Sequence, residues 1–429
     1  MSGTRTETHS GPREPRESQR GREALIAVFP SLAVLPVPPS EEPVGRGWLA
    51  GFNVDDPKVS REHLAFTRRG GLRVIDLGSH NGTCVDGAKL AANRPAEIED
   101  GTVIRAGRTV LVYREELRGR DAPDEPLGAL VSPYGLRDAR AELERICKGT
   151  PTNILIEGET GTGKELVAEA IAARLGKRAL YEPVNVANIP TGVFESHLFG
   201  YARGAFSGAG AGAPGVFVAH DGGAVFLDEI GELPLEIQPK LLRFLDYRDI
   251  QPVGAHSGRK VDVLVIAATN RPLAAMVADG RFRRDLFVRL AASRVELKPL
   301  GERTEDIFAI AQAEAAKARK PYDLSLVEVE AVEHLLLHKW EGNVRELIAA
   351  LHRIAGHEPL PALRAWAVEE VLGPRPASPR VRLTRENVAP ALARAGGNQS
   401  AAALDLGVLR SRLRRFLDRE RKAGWKPGA

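Results

Sequence analysis

Short apolar runs alternate with glycine and asparagine turns over residues 24–118. Leu72-Arg73-Val74-Ile75 and Val110-Leu111-Val112-Tyr113 are two of these runs. Runs of this length between turn residues are typical of β-strands. Over residues 127–373 apolar strand-like runs alternate instead with amphipathic helical stretches, the order expected of an α/β fold. Residues 382–425 have a helical pattern. The chain is therefore predicted to contain an all-β, an α/β and an all-α part.

Polar and proline-rich segments separate these parts. Met1–Arg22 is polar and charged and lacks the apolar stretch of a secretion signal, so we expect a disordered tail at residues 1–22. Gly119–Pro126 is a charged linker, and Gly373–Val381 is a proline-rich linker. The pattern thus predicts an all-β domain at 23–118, an α/β domain that begins at 127, and a helical domain at 382–429.

Chain length, the length of the apolar runs and the positions of the cysteines limit the class of protein. A chain of 429 residues is too long for one core, so two to four domains are expected. No apolar run is long enough for a membrane helix, which takes about 18 residues, so we expect no membrane partner. Cys84 and Cys147 are far apart and lack metal-ligand spacing, which indicates a reducing, cytoplasmic location.

Charge is distributed unevenly. The chain carries a net charge of +4, yet the residues after Gly373 contain thirteen Lys and Arg against four Asp and Glu, which is +9. A basic tail on a mildly acidic body indicates nucleic-acid binding at the C-terminus. The alternative is a solvated basic tail with no such role.

A glycine-rich loop follows the apolar strand Asn153–Glu157 and precedes the helical stretch Leu166–Leu175. Strand, loop and helix in this order are the context of a P-loop, whose backbone N–H groups surround phosphate oxygens. Lys164 would bridge the β- and γ-phosphates of ATP. The predicted ATP-binding residues are Gly158, Glu159, Thr160, Gly161, Thr162, Gly163, Lys164 and Glu165.

A second apolar run, Ala224–Leu227, ends in the carboxylates Asp228 and Glu229. Behind a P-loop, Asp228 would hold Mg²⁺ directly or through water, and Glu229 would polarise the attacking water as general base. The alternative is an ordinary buried strand that ends in solvated acids.

The hexapeptide Gly204, Ala205, Phe206, Ser207, Gly208 and Ala209 lies between these two motifs. One aromatic among small residues fills a core poorly, and this suggests an exposed contact loop. The loop resembles the GAFTGA loop of the sigma-54-dependent transcriptional activators, with Ser207 in place of Thr. That family belongs to the AAA+ ATPases and also carries Glu at the position of Glu165.

The resemblance covers residues 127–373 and implies an α/β ATPase part at 127–303 and a helical lid at 304–372. It implies roles for five further residues. Asn185 would be the switch that restrains Glu229, and Asn270 would sense the γ-phosphate. Arg283 and Arg289 would be arginine fingers acting on a neighbouring subunit's ATP, and Arg345 would be a second sensor. Fingers that act between subunits imply a homo-oligomeric ring, a hexamer.

Several positions depart from the family pattern. Val186 replaces a Cys, His197 replaces a Glu, and Gly301 replaces the first Arg of Leu-Arg-Glu-Arg. Glu341 replaces a Pro in the lid motif at 340–347. These changes leave the ATPase residues in place and affect the contact-loop relay and the connection to the lid.

The tail contains two helical stretches separated by a turn at Gly407. This spacing is typical of a helix-turn-helix and resembles the Fis-type domain that ends most such activators. Leu413, Phe416 and Leu417 would pack inward. The predicted DNA-binding residues are Arg410, Arg412, Arg414 and Arg415. The alternative is a basic packing helix.

A set of residues at the front of the chain resembles a forkhead-associated (FHA) domain, a β-sandwich that binds phosphothreonine. Arg46, Ser60 and Arg61 would bind the phosphate, Asn81 the peptide backbone, and Ser79 is a weaker contact. His63 is expected to be a structural hydrogen bonder. A sandwich that has lost phosphate binding is the alternative.

Together these resemblances imply a cytoplasmic, ATP-dependent transcription activator with Mg²⁺ as cofactor. Its partners would be sigma-54 RNA polymerase holoenzyme, enhancer DNA, and a phosphothreonine protein or Ser/Thr kinase. Two other classes stay open. One is an AAA+ remodelling ATPase that acts on another protein, and the other is a phosphopeptide and DNA adaptor with an inactive motor.

Overall fold

Two antiparallel sheets form the first part of the chain. The computed structural model describes residues 21–68, 71–205, 210–376, 383–406, 408, 410–422 and 424–425. One sheet has the order β2-β1-β10-β9-β6-β7 and the other the order β3-β4-β5-β8. The elements are β1 (Arg22–Phe29), β2 (Ala33–Pro36), β3 (Pro43–Val44), α1 (Arg46–Ala50), β4 (Leu64–Thr67), β5 (Arg73–Asp76), β6 (Thr83–Val85), β7 (Ala88–Lys89), β8 (Pro95–Glu97), β9 (Val103–Ala106) and β10 (Thr109–Leu117). We call this unit the N-terminal sandwich.

A five-stranded parallel sheet with the order β12-β15-β18-β11-β19 forms the second part, which we call the parallel-sheet unit. Its elements are α2 (Arg137–Cys147), β11 (Asn153–Gly158), α3 (Lys164–Arg174), β12 (Tyr181–Asn185), α4 (Phe194–Phe199), β13 (Gly200–Tyr201), β14 (Ala213–Pro214), α5 (Val216–Ala219), β15 (Ala224–Asp228), α6 (Gln238–Tyr247), β16 (Asp249–Ile250), β17 (Arg259–Lys260), β18 (Leu264–Thr269), α7 (Leu273–Ala278), α8 (Arg284–Leu290) and β19 (Arg294–Leu297). The central strands are buried throughout, as the continuous apolar runs predict for a sheet covered on both faces.

Four helices form the third part, the helical unit: α9 (Ile307–Lys317), α10 (Val329–Leu337), α11 (Asn343–His357) and α12 (Ala365–Leu372). Two short 3₁₀ turns, Leu300–Glu302 and Thr304–Asp306, connect the helical unit to β19. The chain therefore passes from the parallel-sheet unit into the helical unit through these two turns.

The N-terminal sandwich and the helical unit share one apolar core. Side chains alternate across β1: Leu25 and Ala27 point into the sandwich, whereas Ala24, Ile26 and Val28 belong to a cluster that includes residues of α9, α10, α11 and α12. Alternation is the normal consequence of the two-residue period of a strand. In this sandwich the outward set is apolar as well, and the helical unit covers it.

The linker at residues 119–126 is held by side chains of the parallel-sheet unit. Arg137 donates hydrogen bonds to the carbonyls of Arg118 (2.9 Å) and Ala122 (2.6 Å), and the N–H of Asp124 donates to the carbonyl of Pro133 (2.9 Å). The sandwich is therefore attached through its core and also through its linker.

Three helices follow the second linker: α13 (Arg385–Arg394), α14 (Gln399–Asp405) and α15 (Arg410–Lys422). Thr384 caps α13 with a reciprocal bond to Asn387, and the side chain of Asn398 accepts from the N–H of Ala401 at the start of α14. Leu413 and Leu417 are buried between these helices, as predicted. In the part of the chain that the structure describes, no helix has the length and apolar character needed to cross a membrane.

The shared core gives a testable expectation. Ile26→Ala should lower the free energy of unfolding by about 2–5 kcal/mol, because it leaves a cavity between two units. Hydrogen exchange measured by mass spectrometry should then accelerate in α9 and α10 as well as in the sandwich. Leu25→Ala, on the opposite face of the same strand, is the matched control and should affect the sandwich alone. Unchanged exchange in the helices of Ile26→Ala would contradict a shared core.

Candidate functional site

The glycine-rich loop lies between β11 and α3 and curls around the position where a phosphate would bind. Gly161 and Gly163 have left-handed φ values of +78° and +103°. A Cβ on Gly161 would lie 2.2 Å from the carbonyl oxygen of Gly342, so only glycine fits under the helical unit. Lys164 Nζ donates to the carbonyls of Gly158 (3.0 Å) and Glu159 (3.1 Å) and lies over the loop.

The electrostatics around Lys164 fit an anion site. Burial lowers the pKa of Lys164, and the nearby carboxylates of Glu229 and Asp228 act against that shift. The hydrogen bonds from its Nζ go to neutral backbone carbonyls, which a phosphate oxygen can replace. The first turn of α3 adds N–H groups at its N-terminus, which favour negative charge.

Strand order brings the other predicted residues to the same edge of the sheet. The carboxyl ends of parallel strands lie together, so β11, β18, β15 and β12 present their C-terminal residues side by side. Asn270 follows β18, and its Nδ2 donates to Thr160 Oγ1 at 2.9 Å. Asn185 is the register partner of Asp228 on the neighbouring strand. The Asn185 side chain accepts from the N–H of Ala187 at 2.9 Å.

Glu229 has a left-handed backbone, with φ of +54°. This conformation is uncommon for a residue with a side chain, and such residues cluster at functional sites. Its N–H donates to Asp228 Oδ1 at 3.0 Å. Mg²⁺ in nucleotide sites usually takes one or two carboxylates together with phosphate oxygens. Asp228, next to the P-loop at a strand end, fits this requirement.

Asn343 is a site residue to which the sequence analysis gave no role. It is fully buried, with φ of +55°, and its Oδ1 accepts from the N–H of Leu300 at 2.6 Å. Its Nδ2 donates to Glu159 Oε2 (3.1 Å) and to the carbonyl of Thr160 (3.0 Å). It therefore ties the helical unit to the P-loop. Its place in the sequence could have indicated this role, because Asn343 lies two residues before Arg345 in the lid motif at 340–347.

Arg345 lies beside the P-loop as well. Its Cβ would be 3.2 Å from a Cβ on Gly161, and its charge contributes to lowering the pKa of Lys164. The Arg345 side chain is exposed at the surface of the loop. This location is compatible with a group that contacts bound nucleotide.

Arg283 precedes α8, Arg289 lies in its last turn, and each of them forms an ion pair with a nearby carboxylate. Arg283 Nη2 pairs with Asp285 at 2.7 Å, and Arg289 Nε pairs with Asp246 at 3.1 Å. Both line an open cavity of about 830 Å³. Within the described residues, the hydrogen bonds that Arg283 and Arg289 donate and the ion pairs that they form go to residues 238–246 and 285 and not to the P-loop.

The predicted contact loop extends from the short hairpin of β13 and β14. Gly200 pairs with Pro214 and Tyr201 pairs with Ala213, which fixes both ends of the loop. Gly204 is exposed and has φ of +75°. Phe206, Ser207, Gly208 and Ala209 lie outside the described residues.

The predicted phosphate-binding residues of the N-terminal sandwich come from neighbouring loops. The N–H of Arg46 donates to the carbonyl of Ser60 at 3.0 Å, and a Cβ on Gly45 would lie 1.7 Å from the carbonyl oxygen of Arg61. Glycine at position 45 therefore allows the close approach that places Arg46 beside Arg61. Both arginine side chains are exposed.

The remaining residues of that set form hydrogen bonds with other residues of the N-terminal sandwich. Ser79 Oγ donates to Asp76 Oδ2 at 2.7 Å, and Asn81 Nδ2 donates to the carbonyl of Lys58 at 2.6 Å. His63 is buried and bridges two loops, since its Nδ1 accepts from the N–H of Ser60 and its Nε2 contacts the carbonyl of Gly82. Burial lowers the pKa of His63, which favours the neutral ring. The hydroxyl of Ser60 accepts from the N–H of His80 and keeps a proton to donate.

In the C-terminal part, Arg414 is exposed on α15. The side chains of Arg410, Arg412 and Arg415 lie outside the described residues.

Comparison with known families divides the chain in the same way. Residues 44–107 match the FHA domain, residues 133–296 the sigma-54 interaction domain, and residues 301–375 the AAA+ ATPase lid domain. The N-terminal sandwich is thus the FHA domain, and the helical unit is the lid.

Individual relatives agree with these matches. The anaerobic nitric oxide reductase transcription regulator NorR of Citrobacter koseri is 44% identical over 257 residues, 57% of this chain and 50% of that protein. NorR of Salmonella typhimurium is 44% identical over 258 residues, 56% of this chain and 51% of that protein. The chain thus spans about half the length of the curated relatives it matches.

Among solved structures, the crystal structure of NtrX from Brucella abortus has 31% identity and a TM-score of 0.50, and the similarity covers 68% of this chain and 69% of that one. This chain therefore belongs to the family of AAA+ proteins with a sigma-54 interaction domain, and in this member an FHA domain precedes that domain.

Proposed function

We propose that this chain is an ATP-dependent transcription activator that acts in the cytoplasm on sigma-54 RNA polymerase holoenzyme and helps it open promoters. The observation that carries the proposal is the convergence of the P-loop, the Asp228-Glu229 strand end and Asn270 at one sheet edge, in a chain whose sequence also contains the GAFSGA motif at 204–209.

Each residue at the sheet edge has a task in ATP hydrolysis. Lys164 leaves the loop carbonyls and binds the β- and γ-phosphates. Asp228 would hold Mg²⁺, which neutralises phosphate charge when it is bound. Glu229 takes the proton of the attacking water. Asn270 reads the γ-phosphate through Thr160, and Asn185 on the adjacent strand restrains Glu229 until the partner is engaged.

Hydrolysis requires a ring, which we propose to be a hexamer. Arg283 and Arg289 are surface groups of α8 beside an open cavity, so a neighbouring subunit that enters this cavity brings its ATP within reach. A guanidinium supplied by a second subunit stabilises charge on the transferring phosphoryl group. When the ring assembles, Arg283 releases Asp285 and Arg289 releases Asp246, and both arginines bind phosphate oxygens instead.

The loop at 204–209 transmits the conformational change produced by ATP hydrolysis to sigma-54. It is the extension of a hairpin within the parallel-sheet unit, so a change at the nucleotide site can alter its position. Phe206 is the one large apolar side chain among the small residues of this loop. A buried aromatic side chain is the usual anchor of such a contact.

The two ends of the chain determine where and when the motor acts. We propose that α13, α14 and α15 form a Fis-type helix-turn-helix that binds enhancer DNA through its arginines. The FHA domain binds phosphothreonine on a partner protein, which implies a Ser/Thr kinase. In its candidate site the backbone at Gly45 and Arg46 lies against the backbone at Ser60 and Arg61, and both arginines are exposed, which favours binding of a dianionic phosphate.

Separate variants test the roles in hydrolysis. Lys164→Ala should abolish ATP binding, because the phosphate loses its main charged contact. Glu229→Ala should bind ATP and lose turnover by about 10²-fold or more, as expected for a general base. Nucleotide affinity and phosphate release check both. Glu236→Ala, an exposed carboxylate on the following segment, is the control. Normal turnover in Glu229→Ala would overturn the assignment.

A second test separates the contact loop from the motor. Phe206→Ala should retain most ATPase activity and lose open-complex formation with purified sigma-54 holoenzyme. Ser207→Thr should be tolerated, because it restores the family residue and keeps the hydroxyl. If Phe206→Ala activates transcription as well as the unmodified chain, the loop does not contact sigma-54.

A third test concerns the FHA domain in the full chain. A phosphothreonine peptide should bind and its unphosphorylated form should not. Arg46→Ala should weaken binding about tenfold or more, since a hydrogen bond to a charged group contributes about 1.5–3 kcal/mol. Arg73→Ala is the control, because Arg73 pairs with Glu97 elsewhere on the sandwich. Equal affinity for both peptides would rule out phosphate recognition.

A further inference from the structure

Three arginines of the FHA domain reach the lid or the connection that leads to it. Arg105 on β9 pairs with Glu330 (3.1 Å) and Glu333 (3.0 Å) of α10. Arg108 donates to the carbonyls of Leu324 (2.6 Å) and Val327 (3.2 Å) before α10. Arg114 on β10 differs from these two, because its partners outside the sandwich lie in the short connection between β19 and α9.

Arg114 is buried and uses its whole guanidinium. Its Nε donates to Glu305 at 3.0 Å, its Nη1 to Asp100 at 3.0 Å, and its Nη2 to Glu305 and to the carbonyl of Glu302 at 3.1 Å. The donors of arginine are spread over three nitrogens in one plane, so they reach acceptors on different sides of the side chain, whereas the three N–H groups of an ammonium all point from a single nitrogen. Both 3₁₀ turns of the connection, through Glu302 and Glu305, are therefore fixed to the FHA domain.

The same connection contacts the P-loop on its other side. Arg303 is fully buried, and its Nη2 donates to the carbonyl of Thr162 at 2.9 Å. The N–H of Leu300 donates to Asn343, which in turn holds Glu159 and Thr160. Glu302 and Glu305, which Arg114 binds, flank Arg303 in the sequence.

We propose that Arg114 of the FHA domain is a positioning residue for the nucleotide site. It fixes the connection at 300–306, and through Arg303 and Leu300 it sets the distance between the P-loop and the lid. Two short 3₁₀ turns have little stability of their own, so their geometry follows their partners. The inference rests on the proposed ATPase function, and it makes the FHA domain part of the nucleotide-binding machinery.

The test uses the full chain, ADP as the probe, and two substitutions. Arg114→Gln removes the guanidinium charge that lies beside the carboxylates of Asp100 and Glu305, so this variant risks misfolding. Arg114→Lys keeps a positive charge between the two carboxylates and cannot reach the carbonyl of Glu302 as well. Arg105→Gln is the matched control, because it removes an ion pair of the same interface at α10.

Both Arg114 variants should bind ADP about five- to tenfold more weakly, a typical coupling between sites. In steady state the KM for ATP should rise, because the P-loop is displaced. The kcat should stay within about twofold of that of the unmodified chain, because the general base Glu229 is intact. The melting temperature of Arg114→Lys should remain close to that of the unmodified chain. Arg105→Gln should leave ADP affinity unchanged.

Hydrogen exchange in the nucleotide-free chain provides a readout that does not depend on turnover. Arg114→Lys should accelerate exchange over residues 158–164 and 300–306, and Arg105→Gln should accelerate it in α10 only. Unchanged exchange at residues 158–164 in Arg114→Lys would overturn the inference, even if ATP hydrolysis is confirmed. A chain that binds no ADP would overturn the proposed function, while the exchange result would still decide the role of Arg114.

Discussion

The buried ion pair of Arg303 and Asp306 is the constraint that attaches the start of the lid to the parallel-sheet unit. Both side chains are fully buried, and Arg303 Nη1 lies 3.9 Å from Asp306 Oδ2. Removing two charges from water costs several kcal/mol per ion, and this cost is offset only where further hydrogen bonds are made. Burial lowers the pKa of Arg303 and raises the pKa of Asp306, to about 6. The compensating bonds go to Thr162 of the P-loop and to Ser132, Tyr134 and Gly135 before α2. These bonds attach the connection at 303–306 to the P-loop and to the segment before α2, so they fix the point from which the lid begins.

The FHA domain is attached to the lid by a separate set of contacts. In the structure the outer face of the FHA sheet forms one core with the lid, and the linker is held by Arg137. The FHA domain and lid are therefore expected to move together. Arg46 and Arg61 are exposed in this arrangement, so the proposed phosphopeptide binding would not require the two domains to separate.

Much of the fold was predictable because its signals are local. The strand, glycine-rich loop and helix around Lys164 predicted the P-loop, and the comparisons confirm the FHA domain, the sigma-54 interaction domain and the AAA+ lid. The residue-level roles of Asn185, Arg283 and Arg289 stay predictions. The short helix α1 was not predicted, since a five-residue helix gives too little periodicity. The role of Asn343 was missed because its partners, Leu300 and Glu159, are distant in the chain.

The residue types that could bind phosphate, activate water and contact partners can be identified from the sequence alone, because each of these functions depends on a short motif of adjacent residues. The order of the domains can be identified in the same way, since strand and helix periods are local properties. The packing of Ile26 and its neighbours on the lid, and the contact of Arg114 with the connection at 302–305, are visible only in the folded structure. Both results depend on long-range packing of apolar and charged side chains, and hydrophobic alternation along a strand does not specify which surface will cover its second face.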